Sequence, residues 1–215
     1  MKIAIIGAGN VGAAVGTGLA GKDHEIIFGV RNPEKPELKA LLAKTGSRSL
    51  LSADAAKEAD IILLALPWRV AEQALRELGD LSGKIVIDAM NPLTMTPAGL
   101  GLDRGFSTSG AEAIAEWLPG AHVIKTLNQV GAEIMADTSG FAEPPVMFMA
   151  GDSDDAKKKV ASLLSDLGFM PLDAGGLIKA RLLEPFGMVW INQAILRGKG
   201  RDWAFGAMPK NKTTN

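Results

Sequence analysis

The chain of 215 residues contains no cysteine and only two histidines, His24 and His122. Without thiols there are no disulfides, no thiolate nucleophile and no cysteine metal site, and two histidines far apart in sequence make no histidine-rich metal centre. Excess charge of one sign is missing as well: 23 Lys and Arg stand against 24 Asp and Glu, a formal net charge of −1. Such a balance sets up no field that gathers phosphate backbones, which argues against a nucleic-acid binder. Apolar runs are strand-sized and interrupted by Gly, Pro or charge, so none approaches the roughly twenty residues that a membrane span requires. Met1-Lys2 leads straight into Ile3-Ala4-Ile5-Ile6, without the long apolar region and small-residue cleavage site of a secretory leader. The expectation is a cytoplasmic protein that binds neither nucleic acid nor membrane.

What is present is an alternation of short apolar runs with segments of helical periodicity, the pattern of a mostly parallel sheet covered by helices on both faces. Strands are predicted at roughly 2–6, 24–30, 60–66, 84–89, 121–127, 145–150 and 169–173, and helices at roughly 10–21, 34–45, 52–58, 69–78, 110–118, 130–136, 153–167 and 176–197. Ser109-Gly110-Ala111-Glu112 has the spacing of a capping box, and Asp152-Ser153-Asp154-Asp155 puts acid at a helix start. Gly140 to Pro145 is the best candidate boundary, dividing a dinucleotide-binding domain at 1–140 from a C-terminal subdomain at 141–215. The aromatic and glycine-rich segment from Gly198 to Phe205 reads either as an exposed terminus or as a contact with a second subunit.

Directly after the first strand comes Gly7-Ala8-Gly9-Asn10-Val11-Gly12, a G-x-G-x-x-G sequence that opens a helix. The first glycine permits a tight turn, the second lets the backbone approach a pyrophosphate, and the third allows helix and strand to pack closely. Amides at the start of that helix, at Asn10 and Val11, then face the phosphates. The second strand ends at Val30-Arg31-Asn32, where an acid would bond the adenosine ribose of NAD. A guanidinium there forms charge-assisted bonds to a ribose phosphate instead, which points to NADP. The competing ribose acid is Glu34, but it lies beyond Pro33. Ligands of open α/β sheets sit beyond the carboxyl ends of the strands, so Leu66-Pro67-Trp68 and Asn91 are expected to line the cofactor crevice. Trp68 reads equally as a stacking partner for the cofactor and as a cap on the core.

These residues carry a resemblance over almost the whole chain. Ile5 to Gly12, Gly29-Val30-Arg31, Asp60 to Trp68, Pro171-Leu172-Asp173-Ala174-Gly175 and Arg181-Leu182-Leu183-Glu184 together resemble the coenzyme F420-dependent NADP oxidoreductase family. The resemblance implies a Rossmann-type, doubly wound α/β fold with a small C-terminal α/β extension, usually dimeric. It implies hydride transfer between NADP(H) and the deazaflavin coenzyme, with the second-strand arginine on the extra phosphate. Two departures are visible. Val30 stands where archaeal members carry a serine, and Asn128 and Val130 stand where they carry a histidine and an isoleucine near the nicotinamide. Asn128 and Val130 are therefore the candidate substrate-lining residues.

Hydride transfer between two redox rings requires alignment and exclusion of water more than a strong acid or base, which suits a sequence without a triad, dyad or metal cluster. A β-hydroxyacid dehydrogenase would use a lysine and an asparagine such as Lys125 and Asn128. A spacing of three on a strand end does not place both on one face, however, and Lys125 reads as a charge near the cofactor or at the surface. Two further possibilities keep the cofactor and change its use: a reductase of flavin or ferric ion, or a protein that senses NADP(H) without turnover.

Overall fold

The computed structural model describes residues 1–208 and 210. In chain order the elements are β1 (Lys2–Ile6), α1 (Asn10–Gly18), β2 (Glu25–Val30), α2 (Leu38–Thr45), β3 (Arg48–Leu51), α3 (Ser52–Glu58), β4 (Ile61–Leu64), α4 (Trp68–Arg76) and β5 (Ile85–Asp88). A hairpin of β6 (Leu93–Thr96) and β7 (Gly99–Leu102) follows, then α5 (Gly110–Trp117), β8 (His122–Lys125), α6 (Ala132–Ala136), β9 (Val146–Met149), α7 (Asp154–Asp166), β10 (Met170–Asp173) and α8 (Ala180–Ile191). A 3₁₀ turn at Leu177–Lys179 leads into α8, and a π-helical turn at Asn192–Leu196 leaves it.

Six strands form one parallel sheet in the order β3-β2-β1-β4-β5-β8. Its inner strands are apolar almost throughout because both faces are covered. Alternation then sorts the side chains: Ile3, Ile5, Ile61 and Leu63 enter a core shared with α1, α6 and α7, while Ala4, Ile6, Ile62 and Leu64 enter a core shared with α3, α4 and α5. The first core continues past residue 140 through Met147, Met149, Val160 and Leu163.

β9 and β10 form a separate parallel pair. The free edge of β9 is occupied at every second residue. Val146 N donates to Phe205 O at 2.9 Å, and the Gln129 carboxamide donates to Phe148 O at 2.9 Å and accepts from Phe148 N at 3.1 Å. Beyond β9, Ala150 exchanges backbone bonds with Lys125 at 2.8 and 3.0 Å.

Several expectations are corrected. Arg48–Leu51 forms an edge strand with a single neighbour and two exposed ends, so it lacks the apolar run that marks buried strands. The hairpin at 93–102 is glycine-rich and half-exposed, which hid it in the same way. α2 begins only at Leu38, after Pro36 and an Asx turn in which Asn32 Oδ1 accepts from Glu34 N at 3.1 Å. The tail packs on its own chain: Trp203 stacks on Trp190 at 5.9 Å, and the Trp190 indole donates to Trp203 O at 2.9 Å. At α5, Ser109 caps the Glu112 amide at 3.2 Å as expected. The Glu112 carboxylate, however, accepts from the Ser109 hydroxyl at 2.6 Å and from Arg181 at 2.7 Å, so the capping box is not reciprocal.

Candidate active site

The turn after β1 is shaped by contact. Gly7 has φ +105°, and a Cβ there would lie 2.5 Å from Ala65 O. Gly12 is buried, and a Cβ on it would collide with the Gly7 carbonyl. Gly9, between them, faces open space: nothing lies within 4 Å of its would-be Cβ. No side chain caps α1, whose first residues Asn10 and Val11 are exposed and half-buried. Free amides at a helix start, beneath a surface stripped of side chains, fit the pyrophosphate of a dinucleotide.

Arg31 follows β2, exposed, with no ion pair to an acid among the described residues. Asn32 beside it is exposed and holds the turn that carries Glu34 onward. Across the sheet edge, Leu66 and Pro67 follow β4. Trp68 begins α4, but its ring packs towards α5. It stacks on Trp117 at 5.4 Å, donates to Asp103 Oδ2 at 3.2 Å and lies under the Arg104 guanidinium at 5.7 Å. The indole therefore ties the β6–β7 hairpin to the sheet and caps the core.

Asn91 and Asn128 are brought together from the ends of β5 and β8. Asn91 Nδ2 donates to Asn128 O at 2.9 Å, and Asn128 Nδ2 donates to Asn91 Oδ1 at 3.0 Å and to Leu183 O at 2.9 Å. Gln129 Nε2 donates to Asn128 Oδ1 at 3.0 Å, so the Asn128 carboxamide is saturated within the protein. Asn91 stays half-buried, with its amide plane fixed. Leu127 turns the chain into this arrangement with φ +57°, a left-handed conformation that costs a non-glycine residue about 1–3 kcal/mol and is held by its surroundings. Val130 points into the core. Gly187 of α8 rides directly on the pair: a Cβ there would lie 2.7 Å from Asn128 O and 3.0 Å from Asn91 Oδ1.

Beneath the pair lies a group that the sequence concealed. Lys125 is fully buried, which corrects the surface alternative in its reading as a charge near the cofactor or at the surface. Its Nζ donates to Asp88 Oδ2 at 2.9 Å and to Met90 O, and lies 3.2 Å from Glu184 Oε1. Glu184 also accepts from the amides of Gly110 at 2.9 Å and Ala111 at 3.1 Å, at the start of α5. Burial alone would lower the Lys125 pKa, but the Asp88 and Glu184 carboxylates outweigh it and hold the ammonium above its usual value. Burial and the neighbouring Asp88 carboxylate push the Glu184 carboxyl above its usual range, against the pull of Lys125 and the two amides. The one hint in the sequence is position: Asp88 and Lys125 each close an apolar strand, and Glu184 interrupts an apolar helix face. With its three protons committed to protein acceptors, Lys125 is a fixed internal cation and has none to offer a substrate.

Among the described residues no group of three His, Cys, Asp or Glu side chains is placed to hold a metal ion, and no helix is long and apolar enough to cross a membrane.

Residues 2–92 match the family model for NADP oxidoreductase, coenzyme F420-dependent. An F420-dependent NADP reductase from Methanocaldococcus jannaschii is 30% identical over 198 residues, covering 86% of this chain and 88% of the relative. The rat metalloreductase STEAP3 is 28% identical over 184 residues, and the chain spans only 36% of it. Among solved structures, one from Arthrobacter sp. FB24, provisionally named an F420-dependent NADP reductase, superposes with a TM-score of 0.88 at 31% identity, covering 97% of this chain and all of the other.

Proposed function

Since this chain belongs to the coenzyme F420-dependent NADP oxidoreductase family, we propose that it is an enzyme transferring a hydride between NADP(H) and the deazaflavin F420. The observation that carries the reading is the open amide cradle at Gly7–Gly12 beside an Arg31 that pairs with no acid among the described residues. The nicotinamide supplies the hydride, and this chain supplies binding, alignment and exclusion of water. Gly9, Asn10 and Val11 hold the pyrophosphate through backbone amides. Arg31 and Asn32 take the ribose phosphate, and Leu66 and Pro67 line the middle of the crevice. Asn91, oriented by Asn128, presents its remaining amide proton at the nicotinamide end. Asn128 and Val130 shape the wall from behind rather than touching the acceptor, because both are buried.

The division of labour follows from this reading: residues 1–140 carry the cofactor, and 141–215, with α8 and the second sheet, close the acceptor side. We also read the enzyme as a cytoplasmic homodimer, with the apolar outer face of α8 as its contact.

The deciding assay mixes purified protein with oxidised F420 and either NADPH or NADH and follows the deazaflavin absorbance. Bleaching with NADPH, faster than with NADH, is expected; no bleaching with either nucleotide overturns the reading. The similarity to a metalloreductase favours one other class of acceptor, a metal ion, for which ferric ion is the probe. Reduction of ferric citrate by NADPH without deazaflavin bleaching would establish that reading instead.

A further inference from the structure

The buried Asp88–Lys125–Glu184 cluster takes no part in the binding scheme above, yet it sits at a telling place in the sheet. The cradle lies at the end of β1, and Arg31 lies at the end of β2 on one side of it. A dinucleotide held at both points must send its other half the opposite way, over the ends of β4 and β5. Asp88 is the last residue of β5 and pairs in register with Leu64 of β4 on one side and Lys125 of β8 on the other. With strands about 4.8 Å apart, this places the cluster on the order of 10 Å from the cradle, beneath the nicotinamide end.

The charges in the cluster do not cancel. Two carboxylates face one ammonium, and both carboxyl groups accept hydrogen bonds from backbone amides as well as facing Lys125. Glu184 receives two amides and the ammonium, while Asp88 receives the Met90 amide at 2.9 Å and the ammonium. The start of α5 adds a partial positive charge of about half a unit. What remains is a buried excess of negative charge. The other buried charged side chain among the described residues, Lys157, is paired with Asp173 and Asp154 at the second sheet and does not offset it.

When dihydronicotinamide gives up hydride, its C4–H bond breaks, both electrons leave with the hydrogen to the acceptor, and the ring is left with one positive charge. The acceptor takes its balancing proton from water. We propose that the Asp88–Lys125–Glu184 cluster sets the redox poise of the bound cofactor, favouring the cationic NADP⁺ over NADPH through excess negative charge buried beneath the ring. These are positioning and tuning residues, since none of them touches the reacting atoms. A half to a whole unit charge on the order of 10 Å away, at an effective dielectric constant of about 20, shifts the ratio of the two affinities about fourfold to seventeenfold.

The inference rests on the NADP(H) reading but not on the identity of the acceptor, so the test omits the acceptor. Dissociation constants of NADP⁺ and NADPH are measured by titration calorimetry for the wild type and for Glu184→Gln, Asp88→Asn and Glu184→Asp, alongside unfolding temperatures. In Glu184→Gln, NADP⁺ is expected to weaken relative to NADPH about fourfold to seventeenfold, whereas Glu184→Asp, which keeps the charge, leaves the ratio within about twofold. A purely structural role would weaken both nucleotides together. Asp88→Asn gives an independent reading should Glu184→Gln fail to fold, with the same direction expected. An unchanged ratio in a folded neutral variant overturns the proposal, and failure of the wild type to bind either nucleotide overturns the cofactor assignment and the proposal with it.

Discussion

In the proposed scheme Arg31 is followed by Asn32, whose side-chain oxygen is engaged by the Glu34 amide, and is preceded by Val30, which offers no hydroxyl. On that reading the guanidinium is proposed to carry most of the discrimination for a ribose phosphate. Replacing Arg31 with Glu exchanges attraction for repulsion: the NADPH dissociation constant is expected to rise more than about tenfold, with that of NADH moving less than about twofold. Equal effects on both, measured by fluorescence titration, would remove Arg31 from that role. The positions of the glycine turn and of Arg31 at the end of β2 were legible in the sequence because they are local, set by a glycine spacing and a strand end. Lys125 was not. Its meaning depends on Asp88, 37 positions earlier, and on Glu184 in a later helix, and only the fold brings the three side chains together.

At the scale of the element, α8 determines how the C-terminal region meets the sheet. Pro185 interrupts its amide ladder, Glu184 caps α5, and Gly187 lets the helix settle against the Asn91–Asn128 pair. Gly187→Ala places a methyl group 2.7 Å from the Asn128 carbonyl and must push the helix outward. Overpacking of this sort costs about 1–3 kcal/mol, so the unfolding temperature is expected to fall by several degrees. Because the Gly7–Gly12 cradle is remote, NADPH affinity is expected to hold while kcat with F420 drops. Loss of NADPH affinity in parallel with kcat would contradict that separation. The periodicity of the sequence indicated a helix across 176–197 but not its three-part construction. Both missed stretches, β3 and the β6–β7 hairpin, are half-exposed edges whose patterning is set by one neighbour instead of two.

For the whole molecule, the doubly wound sheet and its two cores follow from apolar strands read at a period of two, which is why the architecture was readable while the outer surface was not. Ile178, Leu182, Val189 and Leu196 lie along α8 and its flanking turns, each about half exposed. An apolar stripe of that length is the surface on which the proposed homodimer contact rests. If the contact is a homodimer through α8, Leu182→Glu is expected to halve the mass seen by light scattering while leaving the unfolding temperature of the subunit nearly unchanged. A wild-type protein that elutes as a monomer at micromolar concentration would refute the dimer. Assembly by strand addition is barred on the exposed side of the second sheet. Val146, Phe148 and Ala150 would otherwise present a ladder of vacant amides and carbonyls, the template on which foreign strands grow. A tail carbonyl, a glutamine side chain and the backbone of the cluster lysine answer these positions one by one. The chain thereby guards itself against fibrous aggregation at the place where its sheet stops.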